Sequence, residues 1–391
     1  MSHVVVLGCG VVGAAIAYEL SKFPVKVTVL DKQPPAQGAT RAALGVLMGV
    51  ISHKIKGNAW QMRQASLQRY ETLIPELEAL TGRQIPFNRQ GILQLLLPRL
   101  QPGNAGDLAD WEQLVKIRHS QGWHLEIWDS AQIKAACPDL DCEWAIYSPQ
   151  DRQVEPVALT LAMVEAAQRN GVTFHFGVTL EEYDLATTTN NQRLCRQIKT
   201  KSVGAAHELP QLQDLDWLVV AAGLGSVQCL QPLGSELRLN SLSPEHQPSL
   251  DIRPVLGQAI HLQLSRPLGN PDFQPVITGD DVHIVPVAER EYWVGATVEF
   301  PPSGGDIVAE SACLKAVMEK AVAFCPSLAA ATVIRTWSGL RPRPQGRPAP
   351  VIGHLQGFSN VLLATGHYRN GVLLAPATAQ AIRESIVCDP Q

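Results

Sequence analysis

The sequence predicts a mixed α/β and α+β fold, in which a parallel, Rossmann-like domain is interwoven with a second domain built on an antiparallel sheet. Two observations predict this arrangement. First, an apolar strand pattern at the N-terminus is followed directly by a glycine turn and a helix. Second, similar strand and helix patterns recur later in the chain, and segments with the alternating pattern of antiparallel strands separate them. With 391 residues, the chain is too long for one ordinary core and suits two or three domains.

Composition and charge exclude several classes of protein. The chain is 46% hydrophobic and 17% charged, with a formal net charge of -4, so it has no broad basic surface for nucleic acid or an anionic membrane. The apolar N-terminal run lacks a basic leader and a cleavage site, and no other stretch suits a membrane span. Eight cysteines without a CxxC pair or zinc-type grouping favour a reduced intracellular chain. We expect a cytoplasmic protein with a small-molecule substrate, and its oligomeric state, including a homo-oligomer, stays open.

The N-terminal motif is typical of dinucleotide binding. Gly8, Gly10 and Gly13 follow an unbroken apolar run: the first permits a tight turn, the second lets the backbone approach a pyrophosphate, and the third lets the helix pack close to the strand. Free amides at the helix start then face the phosphates. A second strand, 25–30, ends in Asp31, which lies 18 residues after Gly13 and can accept hydrogen bonds from ribose hydroxyls.

The segment after Asp31 departs from an ordinary NAD domain, which would continue the regular alternation of strand and helix. A small-residue loop at 38–49 comes first. An amphipathic helix follows and is capped by Gly82. Its apolar positions are Leu67, Tyr70, Ile74, Leu77 and Leu80.

The chain returns to the first domain with a helix opening at Pro156 and a buried strand within 216–226. Residues 193–209 predict an antiparallel hairpin with its turn near Ser202 and Gly204. The intervening segments alternate like strands of an antiparallel sheet. The predicted boundaries are 1–83, 151–226 and 331–391 for the cofactor-binding domain, and 84–150 and 227–330 for the substrate-binding domain.

Motifs along nearly the whole chain resemble a known family. They are the glycine triplet with Asp31, Ala39-Thr40 with the loop to Gly45, "VVAAG" at 219–223, "IVP" at 284–286, "VGAT" at 294–297, "WSGLRP" at 337–342 and "GHYRNGVLLAPAT" at 366–378. In content and order these motifs resemble the FAD-dependent oxidases of the D-amino-acid oxidase group, and most closely the glycine oxidases. The resemblance implies an FAD-binding Rossmann-like domain and an antiparallel-sheet substrate domain.

The resemblance, together with the glycine motif, assigns candidate site residues. Arg341 matches the arginine that holds the substrate carboxylate. No flavin-attachment motif is recognisable, so we expect noncovalent FAD. The predicted cofactor-binding residues are Gly8, Gly10, Val11, Val12, Gly13, Asp31, Lys32, Ala39, Thr40, Leu44, Gly45, Val46, Val178, Gly223, Gly366, His367, Tyr368, Arg369, Asn370, Gly371, Val372 and Leu373.

Physical arguments support the two C-terminal motifs. A planar guanidinium at Arg341 can hold a carboxylate through two parallel hydrogen bonds, and Pro342 keeps Arg341 extended. A helix starting near Gly371 directs unpaired amides and the positive end of its dipole at a flavin ring, whose reduced form carries negative charge. Arg369 can add positive charge on the substrate side, or it is a solvated loop residue.

Two candidate substrate positions depart from the glycine oxidase pattern. His283 stands where that family usually has a substrate-binding tyrosine, and Val298 stands where it often has methionine. His283 either hydrogen-bonds a carboxylate or fills space.

These features favour an FAD-dependent oxidase of glycine, sarcosine or another small amino acid, including D-amino acids. In this interpretation the α C–H transfers a hydride to flavin N5, the imine hydrolyses, and oxygen reoxidises the flavin to give hydrogen peroxide. No side-chain acid or base is required, because the cofactor carries the chemistry. One alternative is a flavin-dependent dehydrogenase that passes electrons to a quinone or carrier. Another is a catalytically silent flavoprotein.

Overall fold

The computed structural model describes residues 1–97, 108–188, 190–203, 212, 214–233, 250–302 and 307–387. The strands in chain order are β1 (Ser2–Leu7), β2 (Val25–Asp31), β3 (Val46–Leu47), β4 (Phe87–Asn88), β5 (Ile92–Leu95), β6 (Glu126–Asp129), β7 (Trp144–Ser148), β8 (Arg152–Val154), β9 (Thr173–Phe176), β10 (Val178–Thr187), β11 (Arg193–Ser202), β12 (Trp217–Val220), β13 (Ile252–Gln263), β14 (Val276–Gly279), β15 (Val282–Ala288), β16 (Glu291–Gly295), β17 (Thr332–Pro344), β18 (Val351–His354) and β19 (Val361–Thr365). The α-helices are α1 (Val11–Leu20), α2 (Ala39–Ala42), α3 (Gly57–Thr81), α4 (Leu108–Ser120), α5 (Ser130–Ala136), α6 (Pro156–Arg169), α7 (Ser226–Leu230), α8 (Ser311–Phe324) and α9 (Gly371–Val387).

A six-stranded sheet forms the Rossmann-like part of the molecule. Its strand order is β18-β19-β12-β1-β2-β9, and all neighbours pair in parallel except the edge strand β18. Alternate side chains of β1 enter different cores: Val4 and Val6 pack with α1, α3, α6 and α9, whereas Val5 and Leu7 pack with β10 and β11. Since both faces are covered, the strand is apolar throughout, as the sequence pattern predicts.

An eight-stranded sheet forms the second part. Its order is β17-β13-β16-β15-β14-β5-β7-β6, with antiparallel neighbours apart from the parallel pair β14 and β5. One face packs on α5 and α8. The opposite face carries Ala259, Val276 and Val285, which cluster with Leu44 from the loop after α2. The mixed α/β and α+β fold is therefore confirmed.

The domain boundaries themselves stay a prediction, and the sheets bear on one of them. Strand β17 falls inside the segment 331–391 that was predicted for the cofactor domain, yet it pairs along its whole length with β13 in the eight-stranded sheet. The Tyr368 backbone N–H donates to the Pro342 carbonyl at 3.0 Å, so the two parts meet where β17 ends. A boundary between the two parts that followed the strand pairing would lie after β17, because β17 belongs to the eight-stranded sheet.

Two local predictions can be compared with the structure. The hairpin predicted over 193–209 extends into residues outside the described ones, and beyond them Leu212 pairs antiparallel with Ile198 of β11. A second hairpin, which was not predicted, joins β10 to β11 and has Asn191 in the left-handed region at φ 60°. Asparagine tolerates that backbone conformation, and the sequence interpretation overlooked this turn signal. The segment 204–209 lies outside the described residues. In α3, Leu80 is 36% exposed, so the apolar stripe ends at Leu77.

Candidate active site

The glycine turn after β1 has the geometry that its spacing predicts. Gly8 has φ 103°, and a Cβ there would lie 2.6 Å from the Ala221 carbonyl oxygen at the end of β12. A Cβ at Gly13 would lie 1.9 Å from the Gly8 carbonyl oxygen, so Gly13 allows α1 to pack against the turn. Gly10 faces a cavity, and the buried Thr40 hydroxyl accepts a hydrogen bond from the Val11 N–H at 3.0 Å.

Asp31 closes the same end of the cavity. Its Oδ2 accepts from the Cys9 N–H at 2.6 Å, and its Oδ1 accepts from the Gln33 N–H at 2.9 Å. Burial raises the pKa of Asp31, while these backbone hydrogen bonds oppose that rise. Each oxygen keeps a lone pair for a further donor, as a ribose hydroxyl would require.

One large cavity, of about 2220 Å³, connects this turn to the C-terminal helix. It brings together most of the predicted site. The predicted residues that line it are Gly8, Gly10, Val11, Val12, Asp31, Lys32, Ala39, Thr40, Leu44, Gly45, Val46, Val178, Gly223, His283, Arg341, Gly366, His367, Tyr368, Arg369, Asn370, Gly371 and Val372.

Three predicted residues do not line the cavity. Gly13 packs against the turn, and Leu373 is buried in the core beneath α9. Val298 is half-buried outside the cavity, because the chain beyond Ala296 continues to pair with β13: the Thr297 N–H donates to the Gln258 carbonyl at 3.1 Å. The structure therefore does not bring Val298 to the predicted substrate position.

A turn at Tyr368 and two hydrogen bonds fix the start of α9. Tyr368 adopts φ 52°, which turns the chain into the helix. The buried His367 lies 2.9 Å from the Thr378 hydroxyl, and the Tyr70 hydroxyl donates to the Val372 carbonyl at 2.5 Å. Burial lowers the pKa of His367 to about 4, so its ring is neutral at pH 7. The first amides of the helix, from Gly371 on, lack intrahelical partners and lie at the cavity wall.

Arg341 reaches the cavity from β17. Its Nη1 donates to the carbonyls of Leu256 at 3.1 Å and Thr297 at 3.0 Å. A Cβ at Gly257 would lie 2.2 Å from the guanidinium, so glycine makes room for it on the neighbouring strand. Burial, and then the charge of Arg369, lower the pKa of Arg341. Within the described part of the chain, Arg341 has no carboxylate partner.

His283 and Arg369 complete this end of the cavity. The His283 Nδ1 lies 2.8 Å from the Thr278 hydroxyl. Burial lowers the pKa of His283 to about 4, and the charges of Arg369 and Arg341 act in the same direction, so the ring is neutral. Arg369 is partly exposed, and its Nη2 lies 3.7 Å from a carboxylate oxygen of Asp281. Asp281 opposes the charge of Arg369, whereas Arg341 forms no ion pair with a described residue, so the positive potential that suits a carboxylate is centred on Arg341.

Sequence reasoning missed a loop that also lines the cavity, through Ile51, Ser52 and His53. Asp151, which is 0% exposed, accepts hydrogen bonds from the N–H groups of residues 49, 50 and 51 at 2.7, 2.8 and 2.9 Å. Arg118, also 0% exposed, donates to the carbonyls of residues 50, 52 and 54 at 2.6, 2.7 and 3.0 Å. We call residues 49–54 the clamped loop. Asp151 and Arg118 are far in sequence from the loop that they hold, so no local sequence pattern predicts these contacts.

The residues fit FAD. A glycine turn at a helix start, an acid at the end of β2 and a second helix N-terminus line one elongated cavity, and these are the groups needed for pyrophosphate, ribose and flavin. The seven described cysteines form no disulfide, and Cys388 lies outside the described residues. Among the described residues, no helix combines the length and apolar character needed to cross a bilayer.

The fold and the cavity define a dinucleotide-dependent protein, and comparison with known proteins gives its family. Residues 3–385 match the DAO family model, described as FAD dependent oxidoreductase. The chain therefore belongs to this family and is an FAD-dependent oxidoreductase.

Similar proteins cover nearly all of the chain. It is 29% identical over 394 residues to the bifunctional protein ThiO/ThiG of Trichormus variabilis, matching 98% of this chain and 52% of that protein. The chain thus spans about half the length of that relative. It is 28% identical over 396 residues to the glycine oxidase of Bacillus subtilis, covering 98% and 92% of the two chains. The crystal structure of glycine oxidase from Bacillus cereus ATCC 14579 shares the fold, with a TM-score of 0.80, 22% identity, and coverage of 100% and 96%.

Proposed function

We propose that the protein is an FAD-dependent oxidase of a small amino acid, of the class that includes glycine, sarcosine and small D-amino acids. One observation carries the proposal: Arg341 faces the cavity without a carboxylate partner among the described residues, close enough to Arg369 for that charge to lower its pKa. A buried guanidinium needs an acceptor, and a substrate carboxylate supplies one. The relatives named glycine oxidase support the same class.

The chain's own residues orient the substrate in this proposal. Arg341 would hold the carboxylate, and Arg369 would add positive charge at the cavity mouth. The Nδ1 of neutral His283 faces Thr278, so its Nε2 can donate a hydrogen bond to the substrate or accept one from it. FAD, when bound noncovalently along the cavity, supplies the hydride acceptor, and molecular oxygen would then regenerate it. The amides at the start of α9 would stabilise negative charge on the ring.

No acid–base residue is needed for this chemistry. A substrate amine that arrives neutral can release a hydride from its α carbon without a side-chain base, and the imine product hydrolyses in water. Two carboxylates line the cavity beside Arg369, and each has a cationic neighbour: Asp280 lies 2.8 Å from Lys320, and Asp281 lies 3.7 Å from Arg369. The proposed chemistry assigns neither of them a role as acid or base.

An anaerobic substrate screen tests the proposal. The FAD-loaded protein would be mixed with glycine, sarcosine and both enantiomers of alanine and proline, and the visible flavin absorbance would be followed. We expect at least one amino acid to bleach the flavin, whereas the matched amines without a carboxylate should react poorly. A panel in which nothing bleaches the flavin would reject the proposal in favour of a catalytically silent flavoprotein.

A second measurement separates an oxidase from a dehydrogenase. L-proline dehydrogenase from P. horikoshii shares the fold with a TM-score of 0.79 at 20% identity, so the fold alone leaves the electron acceptor open. The oxidase proposal expects about one hydrogen peroxide per substrate consumed in air. Rapid substrate reduction of the flavin with little peroxide, restored by a quinone, would support the dehydrogenase. A cytoplasmic location remains a prediction.

A further inference from the structure

Arg63 is a cavity residue that the proposed chemistry does not use. It lies on α3 and lines the cavity together with Ile51, Ser52 and His53 of the clamped loop. Its Nη1 donates to the Ala59 carbonyl at 2.8 Å, one turn earlier on the helix. Its Nε is shielded from solvent and has no hydrogen-bond partner among the described residues. Burial lowers the pKa of Arg63, while the charge of Asp151 raises it.

Arg63 has charged neighbours but forms no ion pair with any described residue. Arg63 and Arg118 are both cationic, and Asp151 is the carboxylate whose charge acts on both. However, Asp151 already accepts three backbone N–H bonds and one from the Ser148 hydroxyl at 2.8 Å, and it makes no ion pair with Arg63. Asp110 acts on the neighbouring His53, and Arg63 itself forms no ion pair with a described residue. A partly buried cation without an ion pair is unfavourable, and an anionic ligand would supply the counter-ion.

The clamped loop gives this position a defined shape. Asp151 and Arg118 hold the amides and carbonyls of residues 49–54, so this segment is fixed where it lines the cavity. Arg63 adjoins its start, since a Cβ at Gly49 would lie 3.6 Å from the Arg63 Cβ. The His53 ring packs on Trp111 with centroids 4.5 Å apart. A fixed polar wall with one unpaired guanidinium is a better anion site than a flexible surface arginine would be.

We propose that Arg63 binds a second acidic group of the substrate, so that the favoured substrate is an amino acid carrying another carboxylate on its side chain or its nitrogen. This proposal rests on the amino-acid oxidase function proposed above. Arg341 and Arg369 would take the α-carboxylate. Arg63 would take the second anion through Nη2, because Nε is shielded from solvent and Nη1 bonds the Ala59 carbonyl. A neutral amide of the same shape would lose the charge-assisted hydrogen bond.

A binding experiment tests the proposal without turnover. Succinate and its monoamide succinamate would be titrated into the FAD-loaded protein, with the flavin difference spectrum as the readout. Loss of a charge-assisted hydrogen bond corresponds to about 10- to 100-fold in affinity, so the wild type should prefer succinate by that ratio. In Arg63→Gln the ratio should fall close to one, and Arg63→Lys should restore part of it. Equal binding of the two ligands by the wild type would overturn the proposal.

Arg69→Gln is the matched control. Arg69 lies on the same helix and bonds Glu76 at 2.7 Å, and it does not line the cavity. Its replacement should leave the succinate preference and the FAD content unchanged. If Arg63→Gln instead loses FAD, or weakens both ligands equally, Arg63 serves the cofactor or the fold, and the proposal is wrong.

Turnover of acidic amino acids and of their amides distinguishes a failure of the proposed role of Arg63 from a failure of the proposed oxidase function. Aspartate and asparagine, and glutamate and glutamine, would be compared as both enantiomers by anaerobic flavin reduction. We expect Arg63→Gln to lower the acid-to-amide ratio of kcat/KM by about 10- to 100-fold. Oxidation of amino acids with an unchanged ratio would reject the role of Arg63 alone. If no amino acid is oxidised, the proposed function fails, while the succinate ratio still decides whether Arg63 binds an anion.

Discussion

Arg341 is the residue on which the substrate class depends. Replacing it with alanine removes one partner of a buried charge pair, which typically costs about 2 to 5 kcal/mol, so kcat/KM should fall by roughly 30-fold to several thousand-fold. FAD content should stay near wild type. Lysine should recover only part of the loss, because a point charge cannot reproduce two parallel hydrogen bonds. The measurement is steady-state kinetics together with the flavin-to-protein absorbance ratio.

Arg343 provides the control for that substitution. It lies two residues further along β17, outside the cavity, where its guanidinium packs over the rings of Phe300 and Tyr368 at 5.0 and 5.6 Å. Arg343→Ala should change kcat/KM much less than Arg341→Ala does. Equal losses in the two variants would indicate that general loss of charge, rather than carboxylate binding at Arg341, explains the effect.

His283 and Val298 can now be separated, although the sequence suggested treating them together. His283 lines the cavity and bonds Thr278, whereas Val298 lies outside it. We expect His283→Tyr to change the ranking of glycine, sarcosine, D-alanine and D-proline, because a phenol is longer and places its hydroxyl elsewhere. Val298→Met should leave the ranking unchanged. If Val298→Met changes the ranking of kcat/KM in this panel and His283→Tyr does not, then Val298, and not His283, contacts the substrate.

At the scale of elements, the clamped loop depends on a buried carboxylate rather than on its own sequence. Asp151→Asn keeps one oxygen acceptor but removes the charge that serves three consecutive amides, and breaking such a buried network typically costs about 3 to 5 kcal/mol. We expect the amides of residues 49–51 to lose hydrogen-exchange protection, and kcat/KM to fall. Amide exchange measured by mass spectrometry on peptides covering the loop would test this.

Ser148→Ala is the milder comparison. It removes only the hydroxyl that donates to Asp151, so the three backbone bonds remain. Protection of residues 49–51 should stay close to wild type. If Asp151→Asn leaves these amides as protected as Ser148→Ala does, the carboxylate does not hold the loop.

The elements that the sequence predicted are those whose signals are local. The spacing of Gly8, Gly10 and Gly13 predicts a strand, a turn and a helix within a few residues. The helix that begins at Gly371 is predicted by one continuous stretch of sequence. The clamp on residues 49–54 joins Asp151 to amides about 100 residues away, and in the sequence both Asp151 and Arg118 resemble ordinary surface charges. Such long-range pairing of buried charges could not be predicted from one sequence.

At the scale of the whole molecule, the two sheets share the site. The predicted cofactor-binding segment 331–391 includes β17, and pairing with β13 places this strand in the larger sheet. Arg341 therefore reaches the cavity from the eight-stranded sheet, while Tyr368 and α9 belong to the six-stranded part, and the Tyr368–Pro342 hydrogen bond joins them. The residues proposed for substrate and cofactor binding come from both sheets, so the cavity depends on both parts of the molecule.

The stability of the complete chain should depend on pH through His367. Its folded pKa of about 4 lies below the ordinary histidine value of 6.5, so the unfolded chain binds a proton first as pH falls. The part of the free energy of unfolding that depends on neutral His367 is fully present above pH 6.5 and is lost as pH falls towards 4. The loss reaches about 2 kcal/mol by pH 5. Half-buried His283 acts with the same sign. Carboxylates such as Asp139, whose pKa is lowered to about 2 chiefly by its hydrogen bond to Arg266, contribute only at lower pH.

His367→Gln isolates this contribution, because glutamine does not titrate and can still bond the Thr378 hydroxyl. Urea unfolding of the FAD-loaded protein, followed by circular dichroism at pH 7 and pH 5, gives the apparent free energy of unfolding for each variant. The wild type should lose about 2 kcal/mol more than His367→Gln does between these pH values, since only the wild type must keep a neutral imidazole buried against protonation. Parallel losses in the two proteins would mean that His367 takes up a proton as readily in the folded as in the unfolded chain, so that burial does not lower its pKa.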